Sequence, residues 1–304
     1  MNKLLETTIT QAQATMNQAK EWQKTYEEQI KALTENKTLL DQFYKQIKNY
    51  EYLQFYLAGV NPNQDNIFTI QARYLGQPIA TIEITKDHIT ISTYDESNKN
   101  TYNCDLQLKN QEWNTKETMQ FLNFFDKQIK PKTKINEQEH IQAMLLGEFA
   151  KNTSYNKQLI GIRPITYSNL FYPIPIILKP KEEPGYIDIL TRTKVRKLTI
   201  VEPMNEKQTP EMVLANATSK AVFLLNLLHT EQGQQWYKIF GFHGRLTQHT
   251  TIKVCLAVPK QLKSKCKEFE PFELKVDTDS IEYHYMTYDT DGTQITSINT
   301  TLNE

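Results

Sequence analysis

Apolar residues recur in alternating steps of four and three along the first part of the chain: Leu5, Ile9, Ala12, Met16, Ala19, Tyr26, Ile30, Leu33, Leu40, Tyr44 and Ile47. Such steps hold side chains on one stripe of an α-helix, in which about 3.6 residues complete a turn. No glycine precedes Gly59 and no proline precedes Pro62, so neither helix breaker occurs there. Gln23 and Lys37 fall on the seam and interrupt it. The pattern predicts a long helix or helical hairpin over residues 1–58 with coiled-coil packing, bending at Thr34-Glu35-Asn36-Lys37. An apolar stripe must be covered, so these helices are expected to brace the protein, pair with a second copy or dock a protein partner.

Over residues 67–108 the period changes to two. Residues 79–84 and 88–94 alternate apolar with polar positions, and turn-prone Leu75-Gly76-Gln77-Pro78 and Lys86-Asp87 separate the runs. That predicts an antiparallel meander with one wet face. Residues 112–130 return to helical spacing, with Asn114 as cap, Glu117 at the third position and a core stripe of Met119, Leu122, Phe125 and Ile129. The break at Lys130-Pro131-Lys132-Thr133 is the expected domain boundary, giving a meander-plus-helix segment at 59–131 and a further domain at 132–304.

In that last segment, residues 137–151 read as an amphipathic helix and 159–165 and 170–178 as strands. Two short β-rich runs follow, each carrying one acid, Asp188 and Glu202. Pro210 then opens an apolar helix at 211–229, and 251–258 is apolar enough for a central strand. Residues 281–288 and 294–298 flank Thr290-Asp291-Gly292-Thr293, an Asp-Gly hairpin turn. The predicted fold class is α/β (α+β): a mixed sheet flanked by helices, preceded by the helical arm and the meander.

Composition adds bounds. The chain has 304 residues, 39% of them hydrophobic, with 35 Lys+Arg against 35 Asp+Glu and a formal net charge of +0. No global field steers it onto nucleic acid, so any such binding needs a local basic patch. Cys104, Cys255 and Cys266 form no C-x-x-C pair, which argues against zinc and a disulfide framework. No apolar run is long enough to span a bilayer and no apolar signal core follows Met1, so a soluble, cytoplasmic protein with no membrane partner is expected.

The chemistry concentrates in residues 186–207. Burying a carboxylate among Ile, Leu and Val is costly unless it is paired or binds a cation. Alternation puts Leu198, Ile200, Glu202 and Met204 on one face of their strand. The short basic connection between Arg192 and Lys197 suits a hairpin that sets Asp188 beside Glu202, and a helix supplying Glu148 or Glu139 would add a third carboxylate. Hard oxygen ligands of this kind suit Mg²⁺ or Mn²⁺.

At these residues the chain resembles the PD-(D/E)XK nuclease superfamily, over roughly residues 137–258. The acidic helix, Asp188 after Ile187, Glu202 at the end of an apolar strand, the following helix and the later strand carry the resemblance. The family's E-x-K is here Glu202-Pro203-Met204, which lacks the lysine. Where recombination-type members carry Q-x-x-x-Y, this chain has Asn216-Ala217-Thr218-Ser219-Lys220. The resemblance implies a restriction-endonuclease-like fold and a Mg- or Mn-dependent DNA endonuclease or phosphodiesterase of bacterial defence, repair or mobile-element biology. Glu148, Asp188 and Glu202 would then hold metal, and Lys220 or Lys207 would orient water or stabilise the transition state. The alternative is a nuclease fold that has lost catalysis and binds DNA or protein.

Other signals are weaker. Arg192, Lys194, Arg196 and Lys197 form the best local patch for a nucleic-acid backbone, and Lys260, Lys263, Lys265 and Lys267 form a second. Trp236, Tyr237 and Phe240 suit base stacking or, more simply, packing. His243 and His249 fit no zinc spacing, Asp289-Thr290-Asp291-Gly292 lacks the later acid of a calcium loop, and no G-x-S-x-G elbow is present.

Overall fold

The computed structural model describes residues 1–19, 22–50, 53–62, 67–85, 88–93, 103–107, 136–151, 159, 161–176, 185–193, 197–242, 246, 248–266 and 269–302. The expected helix at 112–130, the 130–133 break and the Lys86-Asp87 turn lie outside the described residues. Mixed sheets flanked by helices make up an α+β protein. The chain divides into two compact units, one of Met1–Tyr26, Met144–Ile165 and Pro173–Glu304, the other of Glu27–Ala143 and Thr166–Tyr172. Each is discontinuous in sequence, which a serial reading as 1–58, 59–131 and 132–304 does not contain.

Along the chain come helices α1 (Asn2–Gln18), α2 (Trp22–Glu35) and α3 (Lys37–Ile47), then strands β1 (Gln54–Val60), β2 (Phe68–Tyr74), β3 (Gln77–Ile84), β4 (His88–Thr93) and β5 (Asn103–Gln107). Helix α4 (Glu137–Ala150) precedes a group of short strands: β6 (Arg163–Pro164), β7 (Thr166–Tyr167), β8 (Leu170–Phe171), β9 (Ile174–Ile176), β10 (Gly185–Ile187) and β11 (Leu190–Arg192). Strand β12 (Leu198–Pro203), helices α5 (Pro210–Leu228) and α6 (Glu231–Ile239), and strands β13 (Thr251–Pro259), β14 (Phe272–Val276), β15 (Asp279–Thr290) and β16 (Ile295–Thr300) complete it.

The N-terminal stripe is helical, but it is three helices rather than one arm. The bend falls at Asn36, inside the expected tetrapeptide. Leu5, Ile9, Met16, Tyr26, Ile30, Leu33, Leu40 and Ile47 are all buried within this one chain. In the unit of Glu27–Ala143 and Thr166–Tyr172, β1 to β5 form the antiparallel meander and β8 adds in parallel beside β1. The β2–β3 turn uses Leu75 at φ 48 and Gly76 at φ 82. A side chain at Gly76 would collide with the Glu139 carbonyl, so this left-handed position needs glycine for its space as well as its dihedral.

The other unit holds the acids. Its sheet runs β14-β15-β13-β12-β11-β6, with β16 paired to β15. Strands β6, β11 and β12 are successively antiparallel, whereas β12, β13 and β15 are parallel. Parallel neighbours need a crossover, and α5 supplies it between β12 and β13. Thr209 caps α5 by accepting from the Met212 N–H, and Pro210 sits where its missing N–H costs nothing. The helix is apolar on nearly every side because it is buried on nearly every side. Among the described residues it alone is long and apolar enough to cross a membrane, and 67% of that stretch is buried inside the fold.

The predicted strands at 159–165 and 170–178 appear only as β6 to β9, each two or three residues long. Pro164, Pro173 and Pro175 cannot donate to a ladder, and Ser168 and Asn169 turn the chain with φ 50 and 62. At the C-terminus, β15 and β16 form the expected hairpin. Asp291 Oδ1 accepts from the backbone N–H groups of Thr293 and Gln294 at 2.8 and 3.0 Å, the local bonding that makes Asp a turn residue.

Candidate active centre

Glu202 sits near the end of β12, on the face against which α5 packs. Lys220 and Asn216, one turn apart on α5, both reach it. The Lys220 Nζ donates to Glu202 Oε1 and Oε2 at 3.0 and 2.9 Å, and Asn216 Nδ2 donates to Oε1 at 3.2 Å. Glu202 and Lys220 are each only 8% exposed, so this is a buried, hydrogen-bonded ion pair. Burial pushes the Glu202 carboxyl above its ordinary 4.5; the Lys220 charge and hydrogen bond pull it down, the Asp188 charge pushes it further up, and the Asn216 hydrogen bond lowers it.

Asp188 lies in the break between β10 and β11 and not within a strand. The antiparallel register nevertheless brings it to the site. Leu190 pairs with Ile200, and the Val201 N–H donates to the Ile189 carbonyl at 2.9 Å. One step further along the same register sets half-buried Asp188 opposite Glu202. The hairpin expected between Arg192 and Lys197 forms, closed by Thr193 N–H to Lys197 O at 2.9 Å.

The remaining expected site residues divide. Met204 is fully buried just past β12, its N–H bonded to Ala257 O at 2.8 Å. Lys207 is exposed in the turn after β12, and Lys220 is the lysine that meets Glu202. Glu148 pairs at 3.0 Å with Lys151, just past the end of its helix. Among the described residues no group of three or more His, Cys, Asp or Glu is placed to hold a metal ion, so the expected trio of Glu148, Asp188 and Glu202 does not assemble; the structure brings together Asp188 and Glu202.

In the basic patch, Lys197 is committed to Glu282 at 2.7 Å, and the Arg192 guanidinium lies 5.2 Å from the centre of the Phe242 ring. Lys194 and Arg196 lie outside the described residues, as do Lys267 and His243. Lys260 pairs with Asp289 at 3.1 Å, and Lys265 donates to Glu206 O at 2.7 Å. Trp236 and Phe240 pack on each other with ring centres 4.8 Å apart, and both are buried. His249 is tied to the Thr278 carbonyl at 2.8 Å.

Two features escaped the sequence reading. Asn216 was named only as part of a stretch, although its i, i+4 spacing to Lys220 places both on one helical face. On the opposite face of the sheet, Lys197, Lys253, Glu282 and His284 form an ionic cluster. Its signal is Lys253 within the apolar run of β13, paired in register with Glu282 on β15. Compared with known protein families, curated proteins and solved structures, the chain shows no match.

Proposed function

We propose that this protein is a divergent PD-(D/E)XK-like, metal-dependent phosphodiesterase acting on DNA, with the catalytic lysine displaced from strand to helix. The observation that carries the reading is the Lys220 ammonium at 2.9 and 3.0 Å from the Glu202 carboxylate, in a chain whose E-x-K position is Met204. A buried lysine held against a strand-end acid, with a second acid across the hairpin, is the constellation the displaced-lysine reading requires. The order helix, three antiparallel strands, crossover helix and parallel strand agrees with a restriction-endonuclease-like core.

The donor set suits a hard divalent cation at Asp188 and Glu202. Mg²⁺ keeps several waters and needs only one or two protein carboxylates. Such an ion would lower the pKa of a bound water and neutralise phosphate charge. The chain's own contribution is otherwise electrostatic. Lys220 is the cation paired with Glu202 and can turn to a phosphate oxygen once metal takes over the neutralisation of that acid. Asn216 fixes the orientation of Glu202 Oε1.

A second reading is a nuclease fold retired to DNA or protein binding. Lys220 engages both oxygens of Glu202, and no third carboxylate joins the two acids among the described residues. Mg²⁺ or Mn²⁺ should raise the melting temperature by mass action, and Asp188→Asn should abolish the rise. Plasmid nicking by wild type that disappears in Lys220→Ala supports the enzyme. Metal binding with no nicking by the wild type supports the retired fold, and the absence of both removes the metal site altogether.

A further inference from the structure

Two arginines stand side by side at the edge of the acid-bearing sheet. Arg163 on β6 and Arg192 on β11 are direct cross-strand partners in the antiparallel register. Side chains directly opposite one another share a face of the sheet, with Cβ atoms about 4.5–5.5 Å apart. Like charges at such a pair are destabilising. An anion seated between them removes that cost.

Local packing suits the pair to hold one. The Arg192 guanidinium lies 5.2 Å from the centre of the Phe242 ring, which stacks on Tyr237 with ring centres 4.2 Å apart. Stacking engages the flat face of the cation and leaves its N–H edge for hydrogen bonds. Arg192 is half-buried and Arg163 exposed. A guanidinium carries five N–H donors in a fork that matches two oxygens of one phosphate, so a single internal contact leaves donors to spare.

Register also fixes the face on which they stand. Arg192 is opposite Leu198, and Leu190 is opposite Ile200. Leu198, Ile200 and Glu202 alternate onto one face of β12, the face that Lys220 reaches from α5. The arginine pair therefore shares its face with Glu202 and with Asp188 opposite it. Leu198 precedes Glu202 by four residues, roughly 13 Å along an extended strand. At about 3.4 Å per nucleotide along a duplex axis, that span is a few nucleotides long. Lys197, by contrast, belongs to the other face, where Glu282 neutralises it.

We propose that Arg163 and Arg192 form a clamp for one backbone phosphate of the DNA strand that enters the Glu202 centre. The inference rests on the phosphodiesterase reading for its link to cleavage, whereas phosphate binding stands on the arginine pair itself.

The test measures binding of a fluorescent blunt duplex to the full chain by anisotropy over a series of KCl concentrations, with chelator present so that nothing is cut. Losing the contacts to one phosphate lowers the slope of log affinity against log salt by about one. Arg163→Ala with Arg192→Ala should do so and weaken binding about tenfold at low salt. Arg163→Ala alone, at an exposed position, should weaken binding in the same direction and guards against a packing loss at Phe242. Arg163→Lys with Arg192→Lys keeps the charge but not the fork, so the slope should hold while affinity falls. Wild-type affinity and slope in the double alanine variant overturn the proposal and leave metal-dependent cleavage at Glu202 untouched. A double lysine variant that binds as tightly as wild type overturns it too. A rise in melting temperature with inorganic phosphate that the double alanine variant loses, without binding of the duplex, assigns the arginines to a free phosphate and also overturns it. Slope and affinity lost in the variants, without metal-dependent cleavage by the wild type, uphold the clamp and defeat the phosphodiesterase reading.

Discussion

Lys220 on α5 and Glu202 on β12 form a two-oxygen ion pair at 2.9 and 3.0 Å, with both residues 8% exposed. Removing one partner of such a pair leaves an uncompensated buried charge, at a cost of about 3–5 kcal/mol. Lys220→Met should therefore destabilise the protein by that order at neutral pH. Replacing both partners, as in Glu202→Gln with Lys220→Met, should recover most of the loss, because neither residue then buries a charge. Urea unfolding of the two variants and wild type measures this. A double variant no more stable than the single one would mean that the pair contributes little beyond packing.

The same geometry sets a pH dependence. The folded-state Glu202 carboxyl titrates above its ordinary 4.5, chiefly through burial. A group with a raised folded-state pKa contributes stability that is present below its unfolded pKa and is lost as pH rises through the folded value. Protons also compete with a divalent ion for Glu202. Metal-induced stabilisation should accordingly keep growing with pH above 4.5, beyond the range of an ordinary carboxylate, and Glu202→Gln should flatten the curve. Calorimetric titration with Mn²⁺ across mildly acidic pH tests it. A curve already level just above pH 4.5 would show that Glu202 is not the ligand.

Met204 stands where the proposed PD-(D/E)XK-like reading would call for a strand lysine, and that position is fully buried. Restoring lysine by Met204→Lys buries a second ammonium near Glu202, which Lys220 already neutralises, a cost of several kcal/mol if it stays charged. Met204→Leu, nearly isosteric, should cost less than about 1.5 kcal/mol. Thermal melts of the two variants decide. A well-folded Met204→Lys protein with higher nicking activity would show that the core accepts a strand lysine.

Periodicity reported what depends on neighbours in sequence. The helical stripe, the bend at Asn36, the meander, the Asp-Gly hairpin and the acid-bearing β11–β12 hairpin all rest on local spacing or turn chemistry. What periodicity did not report depends on long-range contact. That α1 packs on α5 is one example, and that Lys197 is already neutralised by Glu282, 85 residues away, is another. Glu148 is the expected third carboxylate, yet it pairs with Lys151, three positions along. Lys220 was legible as a replacement for the missing lysine because a helix following an acid-bearing strand can return side chains to that strand's end. Asn216 lay on the same helical face, but an amide in a helix carries no signal of its own.

The ionic cluster on the other face of the sheet governs the C-terminal segment. The His284 ring nitrogen Nδ1 lies 3.0 Å from the Thr301 carbonyl, and the Lys253 Nζ donates to the Leu302 carbonyl at 3.0 Å. Glu282 faces both, 3.6 Å from Lys253 and 3.6 Å from His284 Nε2, and also holds Lys197 at 2.7 Å. A carbonyl only accepts, so Nδ1 carries the proton and the neutral ring already makes this bond. Burial, and next the Lys253 charge, lower the His284 pKa below 6.5. A depressed histidine contributes stability that is present above the unfolded value and is lost as pH falls through the folded one. Acidification would add a second buried cation beside Lys253, both facing the Glu282 carboxylate that Lys197 also holds. Amide hydrogen exchange in 295–302, corrected for intrinsic rates, should therefore quicken as pH falls below 6.5. His284→Gln keeps an amide donor for Thr301 but cannot titrate, and it should hold the segment at a pH-independent protection. The same acid-induced loosening in His284→Gln would move its origin to another group.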